Sequence, residues 1–309
     1  MTTLLVSQPN FAKHVTPTGH PERPDRIRAV EAALAHEKFS ALKRLEALSG
    51  DLMLAQLVHP GRYLQQLARI RPAEGMARID EDTFISSGSL DAAATALGAG
   101  LLALEEVALG GARNAFCAVR PPGHHAERER PMGFCLINTI AVVAREAQRK
   151  FGAERVAIVD FDVHHGNGTE DIFQADDTVL YASSHQMPLF PGTGAPGFTG
   201  LGNICNVALT AGSGGEAMRT AYEERIFSAL RDFHPDFLLV SAGFDADYRD
   251  PLGGLNWRPA DFAWLTGRLC ELADELCEGR LVSMLEGGYD LDGLATGVAA
   301  HVETLMAAG

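Results

Sequence analysis

The feature that most constrains this chain is an alternation of short, apolar, often β-branched runs with segments of helical periodicity. Phe116–Val119, Arg155–Val159, Val179–Ala182, Phe237–Ala242 and Leu281–Leu285 read as strands. Their apolar residues run on rather than alternating, as expected of strands covered on both faces. Between them, Glu216–Phe233 sets Met218, Tyr222, Ile226, Ala229, Leu230 and Phe233 on one side and stops before Pro235. Ala260–Glu278 follows Pro259, carries Phe262, Leu265, Leu269, Leu272 and Leu276 along a stripe, and ends at Gly279. Both are amphipathic helices with ordinary start and stop signals. Asn138–Lys150 and Asp292–Met306 read the same way. Such alternation implies an α/β fold with a mostly parallel central sheet and helices on both faces. No linker, repeat or charge block divides the 309 residues, so the chain reads as a single domain, residues 1–309.

Several function classes fall away. Lys and Arg number 26 against 40 Asp and Glu, a net charge of −14, with no basic cluster. A nucleic-acid partner requires a cationic face and is not expected. The opening MTTLLVSQPNF lacks the basic start and apolar stretch of an export signal. The longest clear apolar run, Ala92–Leu104, is 13 residues, short of the roughly 20 that span a bilayer. Five cysteines, an odd number with no CxxC pair, fit neither a disulfide scaffold nor a cysteine-ligated zinc site. A reducing cytoplasm is the expected setting. One stretch stands apart. From Thr178 to Gly215 there is no Asp, Glu, Lys or Arg, while eight glycines and three prolines punctuate it, so it reads as a long ordered loop region.

Ligands of open parallel sheets sit outside the carboxyl ends of the strands. The segments at those ends are RPPGHHA (120–126), DFDVHHGNGT (160–169), SSHQ (183–186), GFDAD (243–247) and EGGYD (286–290). In extended chain Asp160, Asp162 and His164 share one side, and Asp245, after another strand, could approach the same point. Two carboxylates and an imidazole leave a coordination position open, the arrangement of a catalytic metal site. Zn, Fe(II), Mn and Co all accept such donors. Four of the 11 histidines form two His-His pairs, each after a strand. His124-His125 follows the stiff Pro121-Pro122-Gly123 turn, and imidazole beside an activated water is a general base. Tyr289 offers a phenol donor for a developing oxyanion. Any one of these residues alone would read as a loop acid, a packed histidine or a rim tyrosine; their joint placement carries the inference.

Together the motifs resemble the zinc-dependent histone deacetylase family, with its arginase/deacetylase fold and an active site at the strand C-terminal ends. The resemblance runs from GHPERPDRI (19–27) through PPGHHA, GFCLIN (133–138), DFDVHHGNGTE, LFPGTG (189–194), SAGFDAD and DPLGGL (250–255) to EGGYD. GNGT, AGFDA and DPLGG look closer to class II and bacterial members, including the deacetylase-like amidohydrolases, than to class I.

The resemblance implies zinc held by Asp162, His164 and Asp245, one ion per chain. It implies that His125 is the general base, that His124 assists with its far nitrogen on Asp160, and that Asn167 orients the other histidine. Tyr289 would donate to the carbonyl oxygen. Gly133 would offer its backbone carbonyl to the substrate amide. Phe134 and Phe190 would wall an acyl-lysine stem, with Leu252, Gly287 and Gly288 also facing substrate. Arg26 matches an arginine near an inner acetate-exit pocket, and Asp82 matches an acid that grips substrate at the rim. A potassium ion would take Asp160, Asp162, His164, Ser183 and Ser184.

The implied activity is hydrolysis of N-acetyl or short acyl groups from lysine side chains of a protein or peptide. Acetylpolyamine hydrolysis uses the same catalytic set, and the apolar Leu252 favours acyl-lysine over it. A binuclear manganese ureohydrolase would need further Asp ligands where DVHHG has histidine and glycine. A catalytically dead acyl-lysine reader would have lost one of the catalytic residues, and none is missing. The oligomeric state stays open, homo-oligomer included.

Overall fold

The computed structural model describes residues 2–309. The chain begins with β1 (Thr3–Ser7), α1 (Asp25–Leu34), β2 (Lys43–Glu46) and α2 (Gly61–Ile70), then a hairpin of β3 (Met76–Arg78) and β4 (Phe84–Ser86). Next come α3 (Ser89–Ala108), β5 (Asn114–Cys117), α4 (Thr139–Phe151), β6 (Val156–Asp160) and α5 (Asn167–Phe173). The rest comprises β7 (Val179–Gln186), β8 (Ile204–Leu209), α6 (Gly215–Ala221), α7 (Phe227–Phe233), β9 (Phe237–Ala242), α8 (Pro259–Cys277), β10 (Leu281–Leu285) and α9 (Leu291–Ala307).

Eight strands form one sheet in the order β2–β1–β5–β10–β9–β6–β7–β8, every pair parallel. Helices flank both faces. Neighbouring residues of β5 show this: the Phe116 ring meets His301 of α9 at 5.5 Å, while the Cys117 thiol donates to the Ala99 carbonyl of α3. The central strands are buried along their whole length, and one hydrophobic core runs through sheet and helices.

Strands β9 and β10 have the limits the sequence indicates, whereas β5 and β6 shift slightly. The expected Glu216–Phe233 helix is α6 and α7 joined by a π-turn over Tyr222–Ile226, where the Tyr222 hydroxyl meets Ser184 Oγ at 2.8 Å. The charge-free stretch expected as loop contains the whole of β7, which runs past its expected end at Ala182 to Gln186, and the whole of β8. Asn206 interrupts the apolar pattern of β8, but buries and hydrogen-bonds to Glu170. Strands β1 and β2 and helix α3 were not anticipated. Ala92–Leu104 is the middle of the buried 20-residue α3. Among the described residues no helix is long and apolar enough to cross a membrane.

Local chemistry sets the element ends that hold the strand-end loops. Asn138 caps α4 by accepting from the Ala141 amide at 3.2 Å. Its Nδ2 donates to Thr169 Oγ1 and to the Ala126 carbonyl, tying the helix to the chain that follows the first histidine pair. Asp290 caps α9 through the Gly293 amide at 2.7 Å, directly after Tyr289. Asn138→Ala is expected to cost about 2–3 kcal/mol, combining a lost cap with stranded buried partners. A urea midpoint shift with unchanged slope would register it, and an unshifted midpoint would contradict this role.

Candidate active site

The C-terminal ends of β5, β6, β9 and β10 lie side by side, so the loops after them converge. Asp160 is the last residue of β6, and the chain bends over residues 162–164. This corrects the extended-chain expectation. Asp160 Oδ1 accepts the Asp162 amide at 3.1 Å, and its other oxygen faces His124 and Tyr181. Asp160 therefore stands beneath the ligand set rather than in it. Asp162 and His164 meet Asp245 from the β9 end. One donor atom from each of the three lies within 4.8 Å of the others, and all three side chains are buried. His164 Nδ1 is 3.1 Å from Asp162 Oδ1 and 3.2 Å from Asp245 Oδ2.

The donor set fits a divalent cation. Burial opposes ionisation of Asp162, but the imidazoles of His124 and His164 outweigh it and hold its carboxyl below the usual range. Asp245, with burial and the Asp162 charge both against it, is raised to about 7. Two desolvated carboxylates this close call for positive charge between them. The backbone makes room for them. A Cβ on Gly287 would stand 2.1 Å from Asp245 Oδ2 and 2.5 Å from Asp162 Oδ2. The Gly287 amide donates to Asp162 Oδ2 at 2.8 Å, and the Val163 amide to Asp245 Oδ1 at 2.9 Å. These contacts aim the remaining carboxylate lone pairs.

The histidine pair sits beside this cluster, its ring centroids 4.0 Å apart. His124 Nδ1 faces Asp160 Oδ2 at 2.9 Å, and His125 Nδ1 faces Asn167 Oδ1 at 2.8 Å. An amide oxygen only accepts, so His125 Nδ1 carries a proton and Nε2 is its free base. Burial works against charge on His124, but Asp160, Asp162 and Glu286 outweigh it and raise it to about 10. His125 is pushed the other way, by burial and by the nearby His124 and His164. One imidazole is thus held cationic and its neighbour neutral. Burial also raises the Tyr289 phenol well above its ordinary value, keeping its proton available.

A cavity of about 420 Å³ opens above these groups. His125, His164, Gly133, Phe134, Phe190, Leu252 and Tyr289 line it, with His20 and Asp82 nearer the β3–β4 hairpin. Gly287 and Gly288, expected to face substrate, are not in the lining. Gly287 instead supports Asp162, and the Gly288 carbonyl accepts from Arg26 Nε at 2.6 Å. Arg26 is fully buried, 4.8 Å from the Tyr289 ring centre, and also donates to the Glu286 carbonyl and to Glu22. It braces the loop that carries Tyr289. Ser183 pairs with Asp160 across β6 and β7, but its hydroxyl meets His185 Nδ1, and that of Ser184 meets Tyr222.

Sequence reasoning passed over several supports. Glu286 accepts the amides of Gly123 and His124 and the Ser241 hydroxyl, joining the histidine turn to the tyrosine loop. Asp250 accepts the Tyr289 and Asp290 amides, and Glu127 accepts from Asn167 Nδ2. Glu286 begins EGGYD and Asp250 begins DPLGG, so both lay within quoted motifs, but only the fold shows what they bond. Gly287→Ala is expected to weaken divalent-metal binding by about 10–100-fold, the usual effect of disturbing ligand supports. Calorimetric Zn²⁺ titration checks this, and undiminished affinity would remove Gly287 from the cradle.

Residues 20–305 match the histone deacetylase domain family. The chain is 40% identical to histone deacetylase 10, chloroplastic, of Oryza sativa, over 91% of this chain and 68% of that protein. It is 36% identical to a histone deacetylase-like amidohydrolase of Pseudomonas aeruginosa, over 88% of this chain and 73% of the other. Among solved structures, the HD domain of HDA15 superposes with a TM-score of 0.94 at 34% identity, covering 99% of this chain and 88% of that one. The match spans every strand-end motif that builds the cavity, and the chain belongs to the histone deacetylase family of hydrolases.

Proposed function

We propose that the protein is a zinc-dependent amidohydrolase that removes acetyl or another short acyl group from lysine side chains, releasing a carboxylate and a free amine. The observation that carries this reading is the cavity itself. Its walls are mainly apolar, with Phe134, Phe190, Leu189 and Leu252 suited to a methylene stem, and His125, His164 and Tyr289 also line it. Asp162, His164 and Asp245 would hold the ion. When bound, zinc polarises a carbonyl and makes a water acidic enough to deprotonate near neutral pH.

The protein's own groups then divide the proton work. His125, neutral and oriented by Asn167, takes the proton of the attacking water at Nε2. It later delivers that proton to the nitrogen of the leaving amine as the amide C–N bond breaks. His124, held cationic by Asp160, stabilises negative charge without moving its own proton. Tyr289 donates to the amide oxygen as charge develops there, held by Asp250 on its backbone and Arg26 against its ring. Gly133 presents its carbonyl to the substrate N–H. A potassium ion at Asp160, Asp162 and His164 would draw mainly on backbone oxygens, since the Ser183 and Ser184 hydroxyls already have partners. Five free cysteines suit a reducing cytoplasm.

Glu81 and Asp82 in the cavity lining favour a second reading, an acetylated polyamine whose distant ammonium they would meet. Parallel kinetics on an acetyl-lysine peptide and on acetylspermidine separate the two, and a strong polyamine preference would overturn the first. Chelation is expected to abolish turnover and added Zn²⁺ to restore it, whereas full activity without metal would refute the mechanism. Tyr289→Phe is expected to lower kcat by about 10²–10³-fold, the scale of one oxyanion donor. Wild-type turnover in that variant would remove the tyrosine from its role.

A further inference from the structure

The Phe190 wall stands on residues 187–203, which leave β7 and return as β8 without one charged side chain. Hydrogen bonds to two buried histidines nevertheless hold this segment. His185 Nε2 lies 2.9 Å from the Gly194 carbonyl oxygen, and its Nδ1 lies 2.9 Å from Ser183 Oγ. His165 Nε2 lies 3.1 Å from Glu170 Oε2, and its Nδ1 lies 2.8 Å from Thr193 Oγ1. Glu170 is itself fixed by Asn206 Nδ2 at 2.6 Å. The partners settle the protons. Each Nε2 donates, to a carbonyl or a carboxylate, and each Nδ1 pairs with a hydroxyl.

The two rings are 4.7 Å apart, and Gly194 lies directly against them. With φ +86° at this position, a Cβ would come within 2.4 Å of His185 Nε2 and 2.6 Å of the His165 ring. A tight turn, Gly192 N–H to the Leu189 carbonyl at 2.9 Å, connects this anchor to Phe190. Phe190 in turn sets its ring edge-on to His125 at 5.2 Å. The proposed chemistry uses none of His165, Glu170 or His185.

We propose that His165, His185 and Glu170 form a clasp that positions the Phe190 wall through Thr193 and Gly194, so that they govern substrate fit rather than bond cleavage. The proposal rests on reading the cavity as the acyl-lysine channel. Replacing either buried histidine risks the fold, so Thr193, which is exposed, is the place to cut. Thr193→Val deletes the hydroxyl that hydrogen-bonds His165 Nδ1, and Thr193→Ser keeps it. For an acetyl-lysine peptide, Thr193→Val is expected to raise KM about fivefold, the equivalent of one ordinary hydrogen bond, with kcat and zinc content at wild-type levels. Thr193→Ser is expected to restore KM. Chymotrypsin is expected to cut within 187–203 faster in the Val variant and at the wild-type rate in the Ser variant. Wild-type KM and cleavage in Thr193→Val would overturn the clasp, as would a rise in KM accompanied by loss of kcat and zinc content. If the wild-type protein turns over no acyl-lysine substrate, the functional reading fails, while the cleavage contrast still decides the clasp.

Discussion

Two carboxylates, Asp162 and Asp245, are buried close together against one imidazole nitrogen, and much of the surrounding structure answers to that crowding. Like charges out of water repel strongly, so backbone amides, a cationic histidine and glycines without side chains surround them. Gly287 supplies an amide and leaves space, and Val163 supplies another amide. The parallel sheet makes this affordable in conformational terms: adjacent strands deliver the loops from β6, β9 and β10 to one edge, and the covered strands keep that edge rigid.

A second layer of polar contacts joins the loops to one another. Glu286 links the tyrosine loop to the histidine turn, and Asp250 links the DPLGG segment to the same tyrosine. Arg26 reaches from α1 to the tyrosine loop, while Glu22 also takes two hydrogen bonds from Arg120, just before the histidine turn. Each imidazole at the cavity floor has its outer nitrogen fixed by a different partner. Carboxylates hold His124 cationic, while burial and the neighbouring imidazoles of His124 and His164 keep His125 neutral, although the two ring centroids are 4.0 Å apart.

The fold class and the location of the site were legible because both depend on local pattern. Apolar runs marked β9 and β10 to the residue, and polar segments at strand ends marked the loops. The edge strands were harder. β2 is KRLE, half-exposed and charged, and β8 is interrupted by Asn206, so neither shows the buried pattern of a central strand. The ligand set was only partly legible from spacing. Alternation put Asp160 with Asp162 and His164, but the bend after β6 turns it towards His124 and Tyr181. Bringing in Asp245 required contact across 81 residues from His164, which no local pattern encodes. Gly287 and Gly288 were placed with substrate on the resemblance alone, and only the fold shows the Gly287 amide turned to Asp162 and the Gly288 carbonyl to Arg26.

The central claim is that Asp162, His164 and Asp245 together hold a single divalent ion. Crystals grown with Zn²⁺, with diffraction recorded on either side of the zinc absorption edge, test this directly. The account predicts one anomalous peak per chain, contacted by Asp162, by His164 Nδ1 and by Asp245. No peak at that position, or a pair of neighbouring peaks sharing these carboxylates, would contradict it.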